Sequence, residues 1–562
     1  MWVAQVSDVE AIKRESRNLR GTIAASLDAG GARFDENDAQ IVKFHGIYQQ
    51  EDRDARQERK RAGLEPAYQF MLRTRVPGGV LNAQQYLIED ELADRFGNGT
   101  LRITTRQGLQ LHGILKGDLR ATIRAVNESL LSTVAACGDV NRNVTACPAP
   151  PQNAAEAAVQ DLAQRLAAHF TPRTPAYHEI WIDGEKLETP EEEAEDPIYG
   201  RTYLPRKFKM GVALPGDNCI DVYTQDIGFV AVIRERELLG YTVLVGGGMG
   251  MTHGKTTTYP RTANPFCFVA PDDAIAVAEA IVTTQRDFGD RTNRKHARLK
   301  YLVEERGVAW MRAEVERRLG RPLPLPVDVA FDDVRDHLGW IAQADGRYTL
   351  GLYIANGRIK DTQSVRLRTA LRELVAHFKP ELRLTAQQNI LLAGIRAEDR
   401  DAIEAVLRAN GVQTNTAALG VARYAMACPA LPTCGLALTD AERALPEIVE
   451  EIARELEVLG LADERLSIRM TGCPNGCARP YMGDVGFVGR SKDLYDVFLG
   501  GDWANSKLNW LYKSSVTRSQ LVCELRPLLH AWKHERRTNE TFGDYCSRVG
   551  RDRLRELAEV SA

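Results

Sequence analysis

The sequence predicts an α+β protein built from two copies of one unit, and three observations predict it. "LRITTRQGLQLHGI" at 101–114 and "LRLTAQQNILLAGI" at 382–395 share seven of fourteen positions at an offset of 281 residues. At that offset "ACPAPP" (146–151) meets "ACPALP" (427–432). Two looser echoes keep the same order: "FMLRTRVPGGVL" (70–81) with "YTLGLYIANGRI" (348–359), and "DIGFVAV…YTVLVGGG" (226–248) with "DVGFVGR…YDVFLGGD" (484–502). Within each copy, strand-like and helix-like patterns alternate. Four ordered matches define a repeated unit of roughly 250–280 residues, with the copies joined near "RRLGRPLPLPVD" (317–328).

The first 60 or so residues are polar, charge-rich and poor in core-forming runs. They read as an arm or docking segment, or as a plain flexible tail. "AYQFMLRTRV" (67–76) and "LRITTRQGLQLHGI" alternate with the period of strands, and "GDLRATIRAVNESLLSTV" (117–134) has helical spacing behind a Gly-Asp start. The acidic run "ETPEEEAEDP" (188–197) reads as a solvated loop. In the second copy, Thr439 or Asp440 is placed to cap an amphipathic helix through "AERALPEIVEEIARELEVLG", ending at Gly460. A paired architecture of this kind favours a ligand site at the seam between copies.

Composition narrows the function classes. A chain of 562 residues holds more than one domain, and 44% hydrophobic with 27% charged residues is ordinary for a globular protein. A net charge of −3 gives no reason to expect nucleic acid or an anionic membrane as a partner. The opening residues show no apolar stretch and no run of about 20 apolar residues follows, so neither a leader nor a membrane span is expected. Ten cysteines are too sparse for a disulfide scaffold, so reduced thiols in the cytoplasm are expected.

Four of those cysteines form a pattern, C-x5-C-x38-C-x3-C, through Cys428, Cys434, Cys473 and Cys477. Structural zinc favours tight knuckles in both pairs, which the first spacing with its two prolines fits poorly. An iron–sulfur cubane accepts wider spacing, and fits better than zinc or four inert buried thiols. Asn475-Gly476 supplies the turn between the last pair. Cys147 is the first-copy counterpart of Cys428, but Asn153 stands where Cys434 would be. Cys147 is therefore expected to hold no metal, and Cys137, Cys219, Cys267, Cys523 and Cys546 to be packing residues.

The first copy concentrates cations in strand-like or loop-like text: Arg73, Arg75, Arg102, Arg106, Arg142, Arg206, Lys207 and Lys209. Arg73 with Arg75, and Lys207 with Lys209, fall on common strand faces. Solvated faces are the plain alternative to a concave anion site lined by guanidinium forks and amines.

"MACPALPTC…ALTDAERALP", "IRMTGCPNGCARPYM", "TRQGLQLHGIL", "CGDVNRNV" and "LPRKFK" together resemble the sirohaem-dependent sulfite reductases, most closely the haemoprotein type that is NADPH-dependent and assimilatory. The likeness runs from about Leu19 to the C-terminal "FGDYCSRVG". It implies a duplicated nitrite/sulfite reductase fold. The expected parts are a docking segment (1–60), ferredoxin-like half-domains (61–134 and 329–407) and α+β reductase domains (135–328 and 408–562). It also implies a [4Fe–4S] cluster on the four cysteines, with Cys477 shared as the axial ligand of sirohaem and Asn475 beside that junction. Arg102, Arg106, Gln110 and Arg206 are implied around the carboxylate-rich macrocycle, and Arg75, Arg142, Lys207 and Lys209 around the bound anion.

The activity so implied is six-electron reduction of sulfite to sulfide in sulfur assimilation. "GGGMG" (246–250) lacks the spacing of a dinucleotide fingerprint. Electrons are therefore expected from a flavoprotein subunit, with ferredoxin as the alternative donor. Nitrite reduction on the same cofactors, and a bare iron–sulfur carrier, are the competing readings. The convergent cations weigh against the carrier.

Overall fold

The computed structural model describes residues 6–173, 176, 180–182, 185–187 and 195–560. Residues 188–194 of the acidic run lie outside the described residues. No helix among the described residues is long and apolar enough to cross a membrane.

Two antiparallel five-stranded sheets form the centre. The first runs, in spatial order, Ile47–Glu51, Tyr68–Thr74, Leu109–Ile114, Leu101–Ile103 and Arg358–Ile359. The second runs Gly339–Ala342, Tyr348–Leu352, Ile390–Ile395, Glu381–Leu384 and Val80–Leu81. Each sheet is thus completed by a two-residue strand from the other copy. Arg358 and Ile359 pair with Arg102 and Leu101, while Val80 and Leu81 pair with Arg383 and Leu382. Helices Ala83–Arg95 and Leu119–Glu128 in one copy, and Leu367–Phe378 and Arg400–Ala409 in the other, close over a single apolar core. That core joins Leu72, Leu101 and Leu111 to Leu350, Leu382 and Leu392.

The flanking sheets repeat one another as closely. One is ordered Asn264–Val269, Glu237–Val245, Ile227–Arg234, Met210–Ala213, Thr145–Ala146; the other Asn509–Thr517, Leu494–Gly500, Val485–Ser491, Ile468–Thr471, Ala425–Ala427. In both, the first three strands of that order pair antiparallel and the last three pair parallel. The last strand of each leads directly into a cysteine, Cys147 or Cys428.

Three expectations are corrected here. Residues 6–51 are not a free arm. Ile47–Glu51 is an edge strand paired with Tyr68–Thr74, and Leu19, Phe34, Val42 and Phe44 are buried in the core. The apolar residues are few, but each is inserted between neighbouring elements. The stretch 101–114 is a hairpin, not one strand, because Gln107 takes a left-handed φ of 53° in the turn between Leu101–Ile103 and Leu109–Ile114. The helix expected from Thr439 spans Leu445–Val458 instead. Pro446 sits in its first turn, where a missing N–H costs nothing, and Thr439 Oγ1 bonds the Tyr495 hydroxyl at 3.0 Å.

Candidate active site at the seam

Cys428 follows its strand and is fixed from both sides. Its N–H donates to Met470 O (3.2 Å), and Gly472 N–H donates to its sulfur (3.3 Å). Cys473 and Cys477 flank a turn in which Gly476 has φ 62°, and a side chain there would meet the Tyr481 ring at 2.9 Å. Asn475 Nδ2 donates to Cys473 Sγ at 3.5 Å. Cys428 and Cys473 are buried, Cys434 is half-buried and Cys477 is exposed. Burial first, and then the neighbouring sulfurs, push the Cys428 and Cys434 thiols up and Cys473 to about 12. The four sulfurs thus lie near enough to feel one another's charge, yet among the described residues they do not form the tight group that a single ion needs. That spread suits a cubane, in which each thiolate binds its own iron.

The first copy holds this turn in place. Thr105 Oγ1 donates to Cys477 O (2.9 Å) and Met251 N–H to Pro474 O (2.9 Å), so "GGGMG" is a docking loop for the cysteine turn. Asp221 of the first copy receives Arg469 (2.6 Å), Arg479 and Asn505 Nδ2 (2.7 Å) from the second, all buried. Arg479 extends the clamp to Thr105 O (3.0 Å) and Ala386 O (2.9 Å).

One brace escaped the sequence reading. Arg53, in the segment expected to be an arm, donates to the carbonyls of Cys434 (3.3 Å), Gly435 (3.3 Å) and Ala437 (3.2 Å). Its own N–H reaches Pro432 O at 3.2 Å. Arg53→Ala is expected to loosen this loop by about 1–2 kcal/mol and to speed chelator-driven iron release roughly tenfold. Anaerobic iron release timed against wild type checks it, and an unchanged rate removes Arg53 from the cluster's support.

On the open side of Cys477 the cations gather. Lys207 and Lys209 make no hydrogen bond or ion pair among the described residues. Both amines are held well below the ordinary lysine value, by burial first and then by cationic neighbours. Those neighbours are Arg206, Arg142 and Arg298 for Lys207, and Arg106, Arg298 and Lys207 for Lys209. Arg142 donates to Gly138 O (3.2 Å) and the Tyr48 hydroxyl (3.4 Å). Arg106 donates to Gln225 Oε1 (2.9 Å) and Asn143 O, but its Nε, like that of Arg298, is buried without an acceptor. Partnerless amines and orphaned guanidinium N–H groups fit an absent polyanion.

Other expected positions fall differently. Arg75 points away: its guanidinium donates to Thr171 Oγ1 (2.7 Å) and Ala167 O at the end of helix Ala154–His169. Arg73 lies on the seam side instead, donating to Cys137 Sγ (3.0 Å), close to Tyr48 and Arg142. The strand stops at Thr74, so the shared-face rule no longer governs Arg75. Cys137 is accordingly more than packing, and Cys523 is exposed. Arg102 is met by Glu442 (2.9 Å) and Ala427 O (2.8 Å), with Arg358 on the same carboxylate (2.7 Å), so it braces the Cys428 loop. Gln110 is buried beside Arg73. Arg206 stands 3.8 Å from Asp139, which Arg294 also binds at 2.6 Å.

Two interleaved halves that bring two paired-cysteine loops to a cationic seam suit a metal-cluster reductase of duplicated design. Residues 162–323 and 421–562 match the nitrite and sulphite reductase 4Fe-4S domain, and 63–129 and 341–410 match the nitrite/sulfite reductase ferredoxin-like half domain. The chain is similar to proteins described as sulfite reductase [NADPH] hemoprotein beta-component. In Myxococcus xanthus the identity is 48%, with 97% of each chain covered; in Paenibacillus sp. it is 45%, with 97% of this chain and 95% of the relative covered. The chain belongs to the nitrite and sulfite reductase family, among its sulfite reductase hemoprotein beta-components. The fold is also that of the Mycobacterium tuberculosis NirA protein, at TM-score 0.79, 23% identity and 98% coverage of both chains.

Proposed function

We propose that this chain reduces sulfite to sulfide by six electrons at a sirohaem coupled to a [4Fe–4S] cluster. The observation that carries the reading is the pair of partnerless amines, Lys207 and Lys209, beside the exposed thiol Cys477. Cys428, Cys434, Cys473 and Cys477 would hold the cluster, with Cys477 shared with the macrocycle and Asn475 against the junction. Arg106 and Arg206 would meet macrocycle carboxylates. When bound, the two groups supply electron transfer and an iron position that takes the sulfur of sulfite.

The protein's own residues do the rest. Arg142, with Arg73 nearby, offers fixed charge and forked donors to the sulfite oxygens. Lys207 and Lys209 add charge and protons, which departing oxygen needs in order to leave as water. The relatives' description as the beta-component of an NADPH enzyme supports a flavoprotein electron donor, with ferredoxin as the alternative. Turnover of sulfite and nitrite with a chemical reductant tests the reading. A higher kcat/KM for sulfite is expected, and a preference for nitrite overturns it.

The pH response separates charge from proton supply. Only a protonated amine donates, and a lowered pKa means that this form is lost at lower pH than for a free lysine. Donation should therefore fail as pH rises. Lys209→Met is expected to lower kcat roughly ten- to a hundredfold and to abolish the alkaline limb of the kcat profile at saturating sulfite. Arg142→Lys should chiefly raise KM. If both lysine variants keep the wild-type profile and lose only affinity, the lysines hold charge and protons arrive through water.

A further inference from the structure

The first copy contains a second group of metal-capable side chains, none of which has been given a role above. Cys147, Asp217, Cys219 and His337 are all buried, and one ligand atom from each lies within 4.8 Å of every other. Cys147 Sγ is 3.8 Å from Asp217 Oδ2 and 4.0 Å from His337 Nε2, and that nitrogen is 3.2 Å from Asp217 Oδ2. A tetrahedral ion with bonds of about 2.0–2.3 Å separates its ligand atoms by roughly 3.3–3.8 Å. We propose that these four side chains bind one zinc ion.

The site is the duplicate of the cluster site. Cys147 ends its strand as Cys428 does. Cys219 lies 258 residues before Cys477, the offset that separates Met210 from Ile468 and Ile227 from Val485 in the matching parallel pairs. At that offset Asp217 takes the place of Asn475. Two of four cluster positions thus keep a thiol. Asn153, opposite Cys434, has become a helix cap, its side chain accepting from Glu156 N at 2.9 Å. Two thiolates cannot hold a cubane, but with an imidazole and a carboxylate they make a four-coordinate set of the kind zinc takes.

His337 and Asp217 are held in position. Asp217 Oδ1 accepts from Cys219 N (3.1 Å) and Arg335 N (3.0 Å), which leaves Oδ2 facing the group, the kind of outer support that fixes metal ligands. His337 has a left-handed φ of 57°, unusual for a residue with a side chain, and a side chain at Gly351 would meet its carbonyl at 1.9 Å. The backbone is bent there to deliver the ring. Because His337 follows the linker, the ion would tie the second copy to the first. Zinc would displace the protons carried by the ligand atoms it binds, with no change of oxidation state.

The test uses the full-length holoprotein, incubated anaerobically with zinc and a reductant, then desalted. About one zinc per chain is expected beside the cofactor iron, with X-ray absorption showing two sulfurs near 2.3 Å and two lighter atoms near 2.0–2.1 Å. Cys219→Ser and His337→Gln should each lower zinc content at least tenfold without lowering iron. Wild-type protein that retains no zinc overturns the proposal. So does zinc that survives undiminished in both variants, or a Cys147–Cys219 disulfide in peptides of the purified protein. If a variant fails to fold, the wild-type absorption spectrum still decides, since a shell without two sulfurs excludes this site.

Discussion

Cys477→Ser is expected to lower sulfite turnover about a thousandfold, equivalent to about 4 kcal/mol of barrier, and to change the visible spectrum of the bound macrocycle. The residue is the exposed member of the four thiols, facing the cationic seam. A thiolate is soft and polarisable, whereas serine oxygen is a hard and far more basic ligand for iron. The backbone does not depend on the sulfur. The turn is fixed by Thr105 on Cys477 O, Met251 on Pro474 O and the left-handed Gly476. Thermal stability of the metal-free protein should therefore stay within about 2 °C of wild type. A variant with full turnover and an unchanged spectrum would show that Cys477 is not shared between the two groups.

Asp221→Ala is expected to cost about 3–5 kcal/mol, because it strands two buried guanidinium groups. Arg469 and Arg479 both end on this carboxylate, and Asn505 supplies a third donor. Burial alone would raise the Asp221 pKa, but the two arginines outweigh it and hold the group below the usual carboxylate range. A depressed folded-state pKa stabilises above the unfolded value and is lost as pH falls through the folded one. The defect should therefore be full at neutral pH and shrink only in acid. Urea unfolding at pH 7 checks the magnitude. A shift below about 1 kcal/mol would mean that the arginines find other acceptors. The variant should also retain cluster iron poorly, since Arg479 ties Thr105 to the loop after Cys477.

Much of this was legible in the sequence. The repeat at 101–114 and 382–395 marks the two central hairpins, and "ACPAPP" against "ACPALP" marks equivalent strand ends, because neighbouring core positions constrain both copies alike. The cysteine spacing singled out thiols that the fold does bring near one another, since covalent chain length limits which thiols can meet. What failed depended on partners distant in sequence. Arg73 and Arg75 are equivalent by strand period, and only the end of the strand at Thr74 sends their side chains to different places. Arg102 was expected beside the macrocycle, and nothing in its own stretch shows Glu442, 340 positions on, as the partner of its charge. Cys219 looked solitary because the 258-residue offset reveals its counterpart only once the sheets are superposed. Arg53 had no signal at all, as a lone arginine in charged text gives no hint of three carbonyls waiting across the seam.

The exchange of edge strands has a consequence for how this molecule can be made or divided. Val80–Leu81 and Arg358–Ile359 each finish the other copy's sheet, so neither half owns a complete one. Severed at the linker, each fragment would expose an open sheet margin and half of a shared apolar interior, the features that drive strand-to-strand aggregation. The only partner able to cover both is the other fragment. The arrangement is that of a domain-swapped dimer whose two subunits have been sewn into one polypeptide. Its contacts span hundreds of residues, so the N-terminal copy leaving the ribosome must wait, unfinished, for its second half to be synthesised.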